Sequence, residues 1–390
     1  MGYYDTPSYF LFLFFYFKKD EGLYLSYNGP MNQSDTNWKF FTSSPEAWTA
    51  MLEAIREAKV SIDLEQFILN YDSVGIEFLD ALKERVSQGV KVRLLCDEVG
   101  SFSLFRSGIS KELERLGIEI KFFNSIIPWS PNNETLWFFR DHRKLLIIDK
   151  NKMFTGGICL GDDMRNWRES SVCLSGSVVQ DAINAFDTMW NKKYKNIKFY
   201  KKQKRLSPFP LFQYITNAPL PRQRFMYREL IRAINNAKHY IYLTTPYLLP
   251  DHRLFRALRR ATKRKVEIRL LVPQKTESVL IDIASGTFYH SLLSLGIRLF
   301  RYTDTMIHAK TSVIDGLWST IGSLNLDNLS LRYNFESNIV SRDKLFAFEL
   351  EKQFLLDLGK SEELTLEKWS KRRFVVKLAE ILIWPFRKLL

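Results

Sequence analysis

The stretch Arg140–Gly157, RDHRKLLIIDKNKMFTGG, holds one histidine, a lysine two residues on and an aspartate five residues after that. The stretch Met306–Ser323, MIHAKTSVIDGLWSTIGS, repeats the same three residue types in the same frame. The whole chain of 390 residues has only five histidines. Two of them in identical frames point to a duplicated unit.

Other segments carry the duplication outward. AIREAKVSIDLEQFIL from Ala54 answers AINNAKHYIYLTTPYLL from Ala233, and LGIEIKFF from Leu116 answers LGIRLFRY from Leu295, both at one common offset. VRLL at Val92 answers IRLL at Ile268. The offset from His142 to His308 is shorter, which means about thirteen extra residues in the first half, in Asn124–Leu136, NSIIPWSPNNETL, whose Pro and Asn residues mark a loop. Each half reads as helix, strand, helix, strand, strand. Trp48, Met51, Leu52 and Ile55 form an apolar helical stripe, preceded by a capping serine and a proline. VRLLC and KLLII are nearly continuous apolar runs, as expected where helices cover both faces of a sheet. The expected fold is α/β: two duplicated sandwich domains packed about a pseudo-twofold axis and sharing one active site. The expected boundaries are 35–195 and 220–358, with an apolar N-terminal segment 1–34, a basic linker 196–219 and a basic amphipathic tail 359–390.

Composition limits the partners. The net charge is +14, and 46% of residues are apolar, so the chain is globular and suited to anionic partners. Cys96, Cys159 and Cys173 fall in no C-x-x-C frame, which argues against a disulfide framework or a zinc site. The apolar run Tyr9–Phe17 has nine residues, against the roughly 20 that a spanning helix needs. It reads as an interfacial anchor or a buried strand, with no cleavable signal peptide.

A strand period of two puts His142 and Lys144 on one face, and His308 and Lys310 likewise. The motif aspartates, Asp149 and Asp315, belong to the candidate catalytic set, but their opposite parity at the strand end suits holding a turn. Bringing the two halves together gives one site with two imidazoles and two ammonium groups, which suits phosphodiester chemistry. One neutral imidazole attacks phosphorus and the other protonates the leaving alcohol, while the lysines neutralise the phosphate oxygens. Glu169 follows His142 and Glu336 follows His308 at almost the same interval, so these carboxylates are the natural orienting partners. No cofactor is called for, and no histidine has a metal-ligand spacing such as H-E-x-x-H. A single H-x-K on a strand carries little weight. Two copies in matching positions, each followed by glycine and then a carboxylate, carry the catalytic reading.

These residues resemble the phospholipase D superfamily, whose signature H-x-K-x-x-x-x-D occurs twice. FRDHRKLLIID, FTGGI, NWRES, TTPYLLPD, HAKTSVIDG, IGSLNLD and NFES further resemble bacterial cardiolipin synthases, across roughly residues 38–358. The resemblance implies transphosphatidylation between two phosphatidylglycerol molecules through a phosphohistidine, with release of glycerol. It makes His142 the nucleophile and His308 the acid and base, with Lys144, Lys310, Asn325 and Ser323 at the phosphate. It also implies a peripheral enzyme on the cytoplasmic face of the cytoplasmic membrane, of the kind without transmembrane helices or in a chain that begins late. Two positions depart from the family pattern. Cys159 replaces an asparagine, and a thiol donates hydrogen bonds more weakly than an amide. Leu329 replaces an arginine. Both bear on efficiency and substrate rather than on reaction class.

Lys368–Leu390 has seven basic residues and one acidic residue. Phe374, Leu378, Ile381 and Leu382 line one helical face, and Arg373, Lys377 and Glu380 another. That pattern fits a helix lying on an anionic membrane surface, or one docked on the protein. Arg253–Lys265 adds seven basic residues on a helix, and Lys192–Arg205 adds eight. Anionic phospholipid is the expected partner, and no obligate protein partner is evident. The amphipathic tail and the motifs count against nucleic acid. Two alternatives stand beside the transferase: a phosphodiesterase or nuclease with water as acceptor, and a membrane-bound binding protein with a degenerate site.

Overall fold

The protein is described by a computed structural model covering residues 35–131, 133, 135–191 and 210–385. The run Tyr9–Phe17, the basic segment Lys192–Arg205 and the last residues of the tail, from Phe386, lie outside the described residues.

In the first half, chain order runs β1 (Asn37–Ser43), α1 (Ser44–Glu57), β2 (Ser61–Gln66), α2 (Ser73–Ser87), β3 (Lys91–Asp97), α3 (Phe102–Ser107), α4 (Ser110–Arg115), β4 (Glu119–Phe123), β5 (Leu145–Ile148), β6 (Lys152–Gly156), β7 (Arg168–Ser175) and α5 (Val178–Trp190). The second half runs β8 (Phe212–Asn217), α6 (Phe225–Asn236), β9 (Tyr240–Thr244), α7 (His252–Lys263), β10 (Glu267–Pro273), α8 (Val279–Ser294), β11 (Arg298–Tyr302), β12 (Thr311–Ile314), β13 (Trp318–Gly322), α9 (Asn328–Arg332), β14 (Glu336–Ser341), α10 (Lys344–Leu358), β15 (Ser361–Leu364), α11 (Leu366–Ser370) and α12 (Phe374–Ile383).

The first sheet has the order β1-β7-β6-β5-β2-β3-β4, and the second β15-β11-β10-β9-β12-β13-β14-β8. Read from opposite ends the two orders are the same, apart from the added β15. The pairs β2–β3 and β3–β4 are parallel, as are β9–β10 and β10–β11, and the strands beyond them are antiparallel. Two expected boundaries shift. The segment 196–219 contains β8, which hydrogen-bonds to β14 from Phe212 to Asn217. The segment 359–390 contains β15, which pairs with β11.

Burial follows the apolar patterning. Trp48, Met51, Leu52 and Ile55 of α1 pack with α2 and α4 on the outer face of the first sheet. α6, α7 and α8 cover the outer face of the second. Between the sheets lies a shared core, in which Phe186 of α5 and Phe346 of α10 meet Ile147, Val172, Tyr214 and Ile321. Both sheets fall within one compact unit spanning Asn32–Leu390. Packing the inner faces together brings the lead-in segments of β5 and β12 side by side.

Candidate active site

Each histidine motif enters its strand from a short extended segment rather than from the strand itself. His142 and Lys144 precede β5, and His308 and Lys310 precede β12. The alternation still holds, because the lead-in is extended. The two halves clasp each other here. The His142 amide donates to the Phe335 carbonyl at 2.9 Å, and the Phe335 amide donates to the Arg140 carbonyl at 2.9 Å. In the mirror position, the His308 amide donates to Arg168 at 2.8 Å and the Arg168 amide to Met306 at 2.9 Å. Each histidine is therefore laced to the residue that precedes the other half's glutamate.

The carboxylates cross as a result. Nδ1 of His142 lies 3.0 and 2.9 Å from the two carboxylate oxygens of Glu336. Nδ1 of His308 lies 2.5 Å from Oε2 of Glu169. The offsets within each half placed both glutamates in the site; the packing gives each to the opposite histidine. With Nδ1 engaged, Nε2 is the nitrogen left for a reacting group. His142 is 8% exposed and His308 6%, so both are reachable but nearly dry.

The lysines complete the centre. Nζ of Lys144 donates to the His142 carbonyl at 2.7 Å. Nζ of Lys310 sits 2.7 Å from Nδ1 of His308 and 3.4 Å from Glu169, and it donates to the His308 carbonyl. Ser323 donates to Glu336 at 2.5 Å. Its counterpart in the first half is Gly157, where a Cβ would stand 2.3 Å from Oε1 of Glu169. Glu169 therefore needs a glycine opposite it, and its Oε1 takes the Ser170 amide at 2.9 Å instead. Asn325 is buried and hydrogen-bonds to Asp327, and its Oδ1 has no partner among the described residues. Cys159, the matching residue of the first half, is buried. Burial pushes its thiol up, against the pull of Lys144 and Lys310.

Electrostatics separate the two histidines' partners. Burial, then the charges of Lys144 and Lys310, push His142 well below the usual histidine range. Burial raises Glu336 to about 8 against the pull of Lys144. Glu169 differs. Burial pushes it up, but Lys310 and His308 hold it below its ordinary value, as a carboxylate. His308 is lowered by burial and then by Lys310. Burial lowers Lys310 to about 8.

Asp149 and Asp315 are not in this centre, and the structure corrects their inclusion in the catalytic set. They sit seven residues past each histidine, about 20 Å along an extended chain. The Asp149 carboxylate accepts the amides of Lys59, Val60 and Ser61 at 2.9, 2.7 and 2.9 Å. Asp315 accepts those of Lys238, His239 and Tyr240 at 2.8, 2.9 and 2.9 Å. Each aspartate fixes the entry to the first parallel strand of its half, β2 or β9. Asp149→Ala strips three amides of a charged acceptor. Denaturant unfolding is expected to give a loss of about 1–3 kcal/mol, with turnover per folded molecule unchanged.

Sequence reading missed a buried network behind His142. Arg143, of opposite parity, turns away from the site and pairs with Glu65 and, at 3.4 Å, with Asp141. The Asp141 amide donates to Asp97 at 2.9 Å, and Asp97 also pairs with Arg140 at 3.3 Å. The available signal was a pair of opposite charges, Arg143 just ahead of the apolar β5 and Glu65 in β2. Phe67 packs on His142 at 4.8 Å, and Trp167 and Tyr247 pack on His308 at 5.0 and 6.0 Å between ring centroids.

A duplicated α/β fold in which each half gives a histidine, a lysine and the other half's orienting glutamate defines a phospholipase D-like protein. The family described as "Cardiolipin synthase, PLD-like domain" matches residues 51–190 and 230–358. The chain is 30% identical over 381 residues to the cardiolipin synthase of Oceanobacillus iheyensis, covering 94% of this chain and 76% of that one. It is 30% identical over 357 residues to cardiolipin synthase A of Pseudomonas putida, covering 87% of this chain and 72% of that one. Its fold is similar to that of phosphatidylserine synthase from Haemophilus influenzae, with a TM-score of 0.67 at 14% identity over 90% of this chain and 93% of that chain. The chain belongs to the cardiolipin synthase family of phospholipase D-like proteins.

Proposed function

We propose that the protein is a phosphatidyltransferase that joins two phosphatidylglycerol molecules into cardiolipin and releases glycerol. The crossed centre carries this reading, because it sets two nearly buried histidines, each with Nδ1 on a buried glutamate of the other half, beside two buried lysines. Nε2 of neutral His142 attacks phosphorus; a P–N bond forms and the P–O bond to glycerol breaks. His308 gives its Nε2 proton to the departing glycerol oxygen. The hydroxyl of a second phosphatidylglycerol then loses its proton to His308 and displaces His142 from phosphorus. An arriving phosphate anion raises the pKa of His308 and loads it for the first step. Lys144 and Lys310 neutralise the phosphate oxygens as charge develops. Ser323 holds Glu336, and Asn325 stands beside the phosphate.

Membrane contact is peripheral, and we place it on the cytoplasmic face. Among the described residues no helix is long and apolar enough to cross a membrane. The loop between β4 and β5, which leads into His142, exposes Ile126, Ile127, Trp137 and Phe138, with Trp129 85% exposed. An apolar loop beside a lipid-handling centre gives acyl chains a dry route to it.

A product assay tests the proposal. Protein and vesicles of labelled phosphatidylglycerol are expected to give cardiolipin and free glycerol in equal amounts. Phosphatidic acid as the sole product would mean that water is the acceptor and would overturn the transferase reading. The pH profile adds a second test. Burial depresses Lys310, so its charge is present below about pH 8 and is lost above it. kcat/KM is expected to fall as pH rises through about 8, and Lys310→Arg, which stays charged, is expected to move that limb upward.

A further inference from the structure

A cleft of about 1040 Å³ opens outside the catalytic centre. Arg224, Arg253, Arg256, Arg259, Arg260 and Arg332 line it, brought together from the N-terminal approach to α6, from α7 and from α9. Asp251 is the one carboxylate among its lining residues, and it is already engaged. It caps α7 through the Arg253 and Leu254 amides, both at 2.9 Å, and accepts the Tyr227 hydroxyl. The side chains of Arg256 and Arg259 have no hydrogen-bond or ion-pair partner among the described residues. Nε of Arg224 is buried without a partner. Asp251, 3.7 Å from Arg332, offsets only one of these six guanidinium groups, so the concavity calls for a multivalent oxyanion.

The rim identifies the source of that anion. Trp384, just after α12, lines the cleft. α12 docks on α8 with Glu380 turned inward, held by Arg372 at 2.9 and 2.7 Å. Its apolar side therefore faces outward, with Phe374 77% and Ile381 68% exposed. α9 separates the cleft from the catalytic centre: its cap, Asp327, binds Asn325, and its Asn328 and Arg332 face the cleft.

We propose that this arginine cleft is a second anionic-phospholipid site, separate from the catalytic centre, which grips a headgroup phosphate while α12 lies in the membrane interface. The inference rests on the peripheral-membrane reading above. A soluble anion has no use for the exposed apolar helix, whereas a lipid phosphate arrives with acyl chains beside it.

The test compares three full-length proteins in co-sedimentation with phosphatidylglycerol vesicles. They are the unaltered chain, Arg253→Gln/Arg256→Gln/Arg259→Gln, and a charge-matched control, Lys91→Gln/Lys111→Gln/Arg115→Gln, on the other half. All six positions are exposed. The cleft variant is expected to bind at least about tenfold more weakly, the control within about twofold of the unaltered chain. Turnover on phosphatidylglycerol in detergent micelles is expected to be unchanged in the cleft variant. Equal binding by cleft variant and unaltered chain would overturn the cleft assignment alone. Equal losses in cleft variant and control would overturn it in favour of diffuse charge. No vesicle binding by any protein would overturn the membrane reading as well. Inorganic phosphate that stabilises the unaltered chain but not the cleft variant, with vesicle binding the same in both, would make this a free-anion site. A single-stranded oligonucleotide showing the arginine dependence in place of vesicles would assign it to nucleic acid.

Discussion

His142→Ala is expected to lose turnover by at least about four orders of magnitude, or roughly 5.5 kcal/mol of transition-state stabilisation. The chemistry passes through a bond to Nε2 of this residue, and no neighbouring side chain can take its place. His308 is held by Glu169 at 2.5 Å and by the adjacent Lys310, whose charge also opposes its protonation. The Cys159 thiol is pushed up by burial and is a poor thiolate at neutral pH. The variant is expected to keep its fold, since the His142 side chain lies at the edge of the core and the backbone pairing with Phe335 survives. Unfolding midpoints within a few degrees of the parent, with cardiolipin synthesis gone, are the expected combination.

His308→Ala separates the two chemical steps. Loss of a general acid costs about 10²–10⁴ with glycerol as leaving group. A phosphatidyl ester of a nitrophenol leaves without a proton, so the first step is expected to recover most of that loss. The second step still lacks a base to deprotonate the acceptor alcohol. A burst of nitrophenol, one equivalent per enzyme, followed by a slow phase is the expected time course. Full steady-state turnover on the activated ester would show that the second step needs no His308 and would reassign the base.

The duplication was legible because apolar runs and motif frames repeat in the linear chain. VRLL and IRLL became β3 and β10, at equivalent places in their sheets. The flanking strands were less visible. β8 follows a basic run, and β15 follows a helix where no second copy exists for comparison. The identity of the six polar groups at the centre could be read from spacing, but their pairing could not. Glu169 and Glu336 follow their own halves' histidines at nearly equal intervals, and such offsets fit either assignment. Packing decided it, through Phe335 and Arg168 binding the opposite motif. Alternation sends a residue seven places on to the other face, which is why Asp149 and Asp315 hold turns away from the centre. For the tail, helical periodicity puts Glu380 on one face with Arg373 and Lys377, while Arg372 draws it inward and the apolar face turns out. The arginine cleft was readable only in part. The run on α7 shows its charge, but Arg224 joins it from ahead of α6 and Arg332 from α9, beyond five intervening strands and helices.

The most direct test is to locate the covalent intermediate. Protein is mixed with phosphatidylglycerol labelled at phosphorus, quenched in alkali within a turnover, and digested for mass spectrometry. Acid-labile label on the peptide carrying His142, absent from His142→Ala and accumulating in His308→Ala with the activated ester, is the expected result. Label on His308, or cardiolipin formed at full rate by His142→Ala, would contradict the assignment of the nucleophile and the crossed-pair mechanism with it.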